Sequence, residues 1–251
     1  MNHQTLQTLR TLKLTGMADG LEQQLSQPGT HGELGFDERL ALLVDREQSY
    51  RQNNKVARLL KAAKLKLQAQ PSEIDYRHPR GLQQSQFADL LSSRWIHQHH
   101  NVLITGPTGC GKTYLACALA TQACLHGLSV RYFRTSRLLE SLSIAHGDGR
   151  FSKLIQQLAK TDLLVLDDWG LEKMSLSQRN DMLEIMEDRH GQKATLIGSQ
   201  LPIEKWHSTI GDATLADAIL DRLLHNSHKI KLRGESMRKI RSDVAEVDHQ
   251  G

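Results

Sequence analysis

Aromatic residues make up only 4% of this 251-residue chain. Its core must therefore come from Leu, Ile, Val and Ala, and few rings remain to stack on unpaired bases. No stretch approaches the ~18 uninterrupted apolar residues of a membrane span. The leading segment, Met1 to Lys13, alternates Leu with polar residues and has no signal-peptide core. Cysteine is limited to Cys110, Cys117 and Cys124, seven apart and without a Cys-x-x-Cys pair. An odd count on one helix face points to reduced packing residues and a cytoplasmic setting. Acids, too, are missing where they would be expected: none occurs between Glu47 and Glu73.

That acid-free gap holds Arg51, Lys55, Arg58, Lys61, Lys64 and Lys66, although the whole chain carries only +4. At about 100° per residue these cations share one broad helical face, opposite Val56, Leu59, Leu60, Ala63 and Leu67. A solvated face with snorkelling Lys stems fits this pattern. So does a surface that tracks nucleic-acid phosphates and weakens steeply with salt. A membrane-surface helix fits less well, because the apolar side lacks Trp and Phe.

The most specific segment is Asn101-Val102-Leu103-Ile104-Thr105-Gly106-Pro107-Thr108-Gly109-Cys110-Gly111-Lys112-Thr113. An apolar strand runs into G-x-x-x-x-G-K-T, and a helix-like stretch from Tyr114 to Leu125 follows. Backbone N–H groups of such a loop cradle phosphates, Lys112 reaches the β- and γ-phosphates, and the Thr113 hydroxyl ligates Mg²⁺. The following helix adds its positive end to the anion site. A second apolar run, Leu163 to Leu166, ends in Asp167 and Asp168. In a P-loop fold the first carboxylate holds Mg²⁺ through water, and the second is placed to act on the attacking water. These residues predict a protein that binds a nucleoside triphosphate with Mg²⁺.

Around these motifs the chain divides into three parts. Residues 1–70 read as a small helical domain, interrupted at Pro28–Gly32, with Asp37 a suitable N-cap for the next helix. Residues 71–94, with Pro71 and the His78-Pro79-Arg80-Gly81 run, read as a linker, and 95–251 as the nucleotide domain. In that domain strands are expected at 101–105, 129–133, 162–166, 194–199 and weakly 228–232. Helices are expected at 112–125, 136–145, 151–160, 175–190, 212–224 and 236–246. Such alternation predicts an α/β fold, a parallel sheet flanked by helices with ligands at the carboxyl ends of its strands. His97, His99 and His100 precede the P-loop strand without a partner at ligand spacing and read as loop residues.

Gly-Pro-Thr-Gly-Cys-Gly-Lys-Thr, Leu-Val-Leu-Asp-Asp-Trp-Gly, Ile-Gly-Ser-Gln-Leu-Pro and Leu-Asp-Arg-Leu-Leu-His-Asn…Arg-Gly-Glu-Ser-Met-Arg-Lys together resemble the IstB-like ATPases. These are AAA+ helpers of an insertion-sequence transposase, related to DnaC-type helicase loaders. The likeness spans essentially the whole chain. It implies that Gln200 is the sensor orienting the attacking water, that Arg222 is a finger reaching the ATP of a neighbouring subunit, and that Arg238 touches the γ-phosphate in cis. Without the family, Arg222 beside Asp221 reads as an intrahelical ion pair and Arg238 as part of a basic tail. Asp168 departs from the Glu of most AAA+ proteins, which implies slow hydrolysis. Too few residues follow Arg222 for a full lid domain.

The expectation is an ATP-dependent factor that assembles head to tail on duplex DNA as a ring or filament, with little sequence preference, and activates a transposase for target-site selection. The alternative partner is a replicative helicase, with single-stranded DNA in place of duplex.

Overall fold

The computed structural model describes residues 2–234 and residue 237 of the chain. The helix expected at 236–246, and Arg238 with it, lies outside the described residues. The chain separates into two compact units, residues 1–58 and 59–251.

The first unit is helical: α1 (Asn2–Thr11), α2 (Thr15–Ser26), the single turn α3 (Pro28–His31) and the long α4, which begins at Phe36 and ends at Ala63. Glu47 fastens α4 to α2: its carboxylate accepts the Met17 N–H at 3.0 Å and Arg51 Nε at 2.7 Å. Asp37 does not cap α4. It lies within the first turn, while Glu38 reaches back to accept the Gly35 N–H at 2.9 Å.

The second unit holds the sheet. Residues 71–94 contain a 3₁₀ turn at Pro71–Glu73 and the helix α5 (Gln84–Leu91), and α6 (Arg94–His97) follows. Then come β1 (Asn101–Thr105), α7 (Lys112–Leu125), β2 (Val130–Arg134), α8 (Thr135–Asp148), α9 (Phe151–Lys160) and β3 (Leu163–Trp169). The chain continues through α10 (Leu176–Arg189), β4 (Ala194–Ser199), α11 (Trp206–Ile210), α12 (Ala213–Leu224) and β5 (Ser227–Lys231).

All strand pairings are parallel, in the order β2-β3-β4-β1-β5. The sheet is covered on both faces, as crossover helices require. Strand side chains alternate between faces. Val102, Ile104, Val165 and Leu196 pack with Leu115, Leu119 and Phe87 on one side. Leu103, Leu164, Leu166 and Ile197 pack with Leu138, Met182, Ile219 and Leu223 on the other. The three cysteines are free and buried, packing residues of the first of these clusters. Burial pushes the Cys124 thiol up to about 11.

No helix among the described residues is long and apolar enough to cross a membrane.

Candidate functional site

Strand β1 delivers the chain to the P-loop, and α7 begins at Lys112 immediately after it. Gly111 has a φ of +95°, and a Cβ there would collide with Arg80 Nη1. Only glycine serves both demands. Arg80 itself is buried and donates to the Cys110 carbonyl at 3.2 Å and the Asp75 carbonyl at 3.0 Å. The stretch expected as a linker thus braces the phosphate loop, with Arg80 itself lining the same cleft.

Lys112 is buried, and its ammonium donates to the Gly106 and Pro107 carbonyls, both at 2.7 Å. Burial pulls its pKa below the ordinary lysine value, against the opposing pull of Cys110, Asp167 and Asp168.

Asp167 is the most enclosed of the site carboxylates, 1% exposed. One oxygen, Oδ2, accepts both the Thr113 hydroxyl and the Tyr132 hydroxyl at 2.7 Å. The other, Oδ1, is buried without a hydrogen-bond partner. Room for it depends on Gly198 of β4, where a Cβ would sit 2.6 Å from Oδ1. The Thr135 hydroxyl donates to the Asp167 carbonyl at 3.0 Å and fixes the backbone. A Thr hydroxyl and a carboxylate are hard oxygen donors, and a buried acceptor left over beside them suits a metal-bound water. The pair fits Mg²⁺, which takes few protein ligands and keeps several waters.

Asp168 lies in a register shift between β3 and β4 and has a φ of +59°. The bulge turns consecutive aspartates to different partners, Asp167 to Thr113 and Tyr132 and Asp168 to Arg134. Asp168 faces Arg134, the last residue of β2, at 3.5 Å. Gln200, just past β4, accepts the Thr108 hydroxyl at 2.7 Å. Thr108, Gly109, Lys112, Thr113, Asp168 and Gln200 line one cleft of about 350 Å³ at the carboxyl ends of the strands.

Arg222 is not in this cleft. It lies at the amino end of the sheet, where its carbonyl accepts the side chain of Asn101, the first residue of β1. Its guanidinium donates to Glu187 of α10 at 2.7 Å and to the Ala218 carbonyl at 2.8 Å. Asp221, the neighbour expected as its ion-pair partner, is not the one it uses. The P-loop follows the opposite end of β1, so Arg222 has no path to the nucleotide cleft of its own protomer.

The basic stretch also departs from expectation. Arg51, Lys55, Arg58 and Lys61 fall within α4, but the helix stops at Ala63. Lys64 takes a left-handed φ of +53°, and Lys66 lies beyond the helix on the rim of the nucleotide cleft. One continuous face through Lys66 therefore does not form. Arg51 is tied to Glu47 in the first unit, whereas Lys55, Arg58, Lys61 and Lys64 are exposed.

His97 ends α6, and His99 and His100 form the turn into β1, where His100 Nδ1 lies 3.4 Å from His228 Nε2. Among the described residues no three His, Cys, Asp or Glu side chains gather as a metal cage.

The sequence matches the family described as IstB-like ATP binding protein across residues 7–245. The chain belongs to that family. An insertion-sequence ATP-binding protein of Sinorhizobium fredii is 48% identical over 237 residues, covering 94% of this chain and 96% of that protein. The ATP-binding protein named for insertion sequence IS1162 in Pseudomonas fluorescens is 51% identical over 203 residues, 80% of this chain and 87% of its own. Among solved structures, DnaI superposes with a TM-score of 0.56 at 19% identity, over 66% of this chain and 91% of that one. At that identity the likeness concerns the fold, a P-loop sheet flanked by helices.

Three residues of this IstB-like site escaped the sequence reading: Arg80, Tyr132 and Arg134. Tyr132 and Arg134 alternate along β2 beside the aspartates of β3, and Arg134 is in register with Asp167. A strand adjacent to the aspartate strand was the available signal, but strand order is not visible in one sequence.

Proposed function

We propose that this IstB-like protein is an ATPase whose nucleotide state governs its assembly on duplex DNA, and that the assembly activates a transposase for target-site selection. One observation carries the reading: P-loop residues, Asp168 and Gln200 line one cleft, with Asp167 bonded to Thr113 of its wall, while Arg222 lies at the opposite end of the same sheet.

In this reading the backbone N–H groups of Gly106–Thr113 hold the phosphates. Lys112 exchanges the Gly106 and Pro107 carbonyls for β- and γ-phosphate oxygens. Thr113 and Asp167 hold Mg²⁺, which when bound neutralises charge developing on the phosphates. Gln200 positions the attacking water, Asp168 accepts its proton, and Arg134 holds that carboxylate in place. Arg238, outside the described residues, is assigned the cis contact to the γ-phosphate on family likeness.

Arg222 then serves the ATP of the next protomer, a heterologous contact that yields rings or open filaments. A guanidinium supplied in trans is worth roughly 10³–10⁵ in rate. Lys55 and Arg58 in the first unit, and Lys61 and Lys64 in the second, supply DNA phosphate contacts with little sequence preference. Lys66 is reassigned to the nucleotide rim.

The test is sedimentation and DNA binding at fixed salt with and without Mg·ATP. ATP should enlarge the oligomer and tighten duplex binding, and Arg222→Ala should remove both effects while sparing nucleotide affinity. If ATP changes neither size nor affinity, the proposal is wrong. Tighter binding of single strands than duplex would redirect it toward helicase loading.

A further inference from the structure

Asp167 has an asymmetric set of partners. Both donors within reach, the Thr113 and Tyr132 hydroxyls, converge on Oδ2 at 2.7 Å, while buried Oδ1 has none. A carboxylate held by Thr113 alone gives up one hydrogen bond when it turns about its own Cβ–Cγ bond. With Tyr132 on the same oxygen it gives up two.

Tyr132 can supply it because of the register. Tyr132 of β2 pairs with Val165 of β3, and side chains two apart on a strand share a face. Asp167, two beyond Val165, is therefore the diagonal neighbour of Tyr132, at a separation long side chains can bridge. The phenol ring is buried in the cluster that holds Val165 and Cys117, so its hydroxyl is delivered by a fixed lever. The Thr113 proton is also committed to Oδ2, which leaves that hydroxyl's lone pairs for a cation.

We infer that Tyr132 is a positioning residue for the divalent cation: it locks the Asp167 carboxylate, with Oδ2 on the Thr113 hydroxyl and Oδ1 against Gly198, in the orientation from which it serves the cation. The inference rests on the Mg·ATP reading of the cleft. Outer partners of this kind are typically worth 10–100-fold in metal affinity.

The experiment is fluorescent-ATP titration of the full chain at graded Mg²⁺, beside Mn²⁺ binding followed by electron paramagnetic resonance. In Tyr132→Phe the Mg²⁺ concentration for half-maximal effect should rise roughly 10-fold, and Mn²⁺ should bind correspondingly more weakly. Nucleotide affinity in EDTA should stay at the wild-type value, which a merely structural role would not leave untouched. Tyr132→Met, apolar and without a donor, should behave alike and replaces the Phe variant if that one fails to fold. An unchanged Mg²⁺ requirement in the folded variant overturns the inference. Equal loss with and without metal also overturns it, because Tyr132 would then be supporting the fold alone. Should the wild type bind nucleotide equally well with Mg²⁺ and with EDTA, the Mg·ATP reading itself fails and takes the inference with it.

Discussion

The Arg134 guanidinium stands 3.5 Å from the Asp168 carboxylate, joining the last residue of β2 to the bulge of β3 at the mouth of the nucleotide cleft. The arginine is half exposed, so the pair contributes at most about 1 kcal/mol to folding. Its proposed part is to hold the candidate base in place. Asp168→Asn should reduce ATP turnover by roughly 10²-fold or more, the range of a lost general base, with nucleotide affinity retained. Phosphate release and fluorescent-ATP titration measure the two separately, and wild-type turnover in Asp168→Asn would remove Asp168 from the mechanism.

Lys112 carries a pH dependence. Burial lowers its pKa, so the ammonium loses its proton at lower pH than an exposed lysine does. Phosphate attraction needs the protonated form. ATP affinity should therefore decline on the alkaline side as pH rises through that lowered value. Lys112→Met should bind at least about 10-fold more weakly and show no such alkaline decline. Isothermal titration across pH provides the comparison.

Gly198→Ala tests the space beside Asp167. The backbone there has no positive φ, so the strand itself tolerates alanine, but the new Cβ would meet Oδ1 at 2.6 Å. The carboxylate must then move. Nucleotide titration at graded Mg²⁺ should show a requirement roughly 10-fold higher, and urea denaturation a loss of about 1–3 kcal/mol from the overpacking.

Arg189 offers a stability prediction far from the nucleotide. It is 1% exposed and donates to the carbonyls of Leu158, Thr161 and Ala194 and to the Thr195 hydroxyl. It thereby ties the end of α9 to the start of β4. Arg189→Met leaves those acceptors unpaired in a dry setting and should cost on the order of 3 kcal/mol or more. Arg189→Lys should recover only part, since a single ammonium cannot span the fork. Urea denaturation gives both values.

The parts of this fold legible in the sequence were those set by local pattern. β1, α7, α9 and β4 occupy the residues expected of them, because apolar runs and helical periods mark them without ambiguity. α5, α6 and α11 were missed; at eight, four and five residues they are too short to display a period. β3 continues to Trp169, beyond the expected end, because Thr135 holds the Asp167 carbonyl and Ser199 holds that of Trp169. The basic face broke for the same reason in reverse: composition continued past Ala63, but the backbone did not. At the site, Gly106–Thr113 and Asp167–Asp168 stood out by spacing alone. Tyr132, Arg134 and Arg80 became visible only once neighbouring strands were placed side by side.

The placement of Arg222 at one end of the sheet and Lys112 beyond the other makes the protomer polar. A row joined through such a contact leaves an unserved cleft at one tip and an idle guanidinium at the opposite tip. Unless the row closes into a ring, its symmetry sets no end point. Its length is then a matter of supply, of how long each nucleotide survives, and of whatever macromolecule first blocks an open tip.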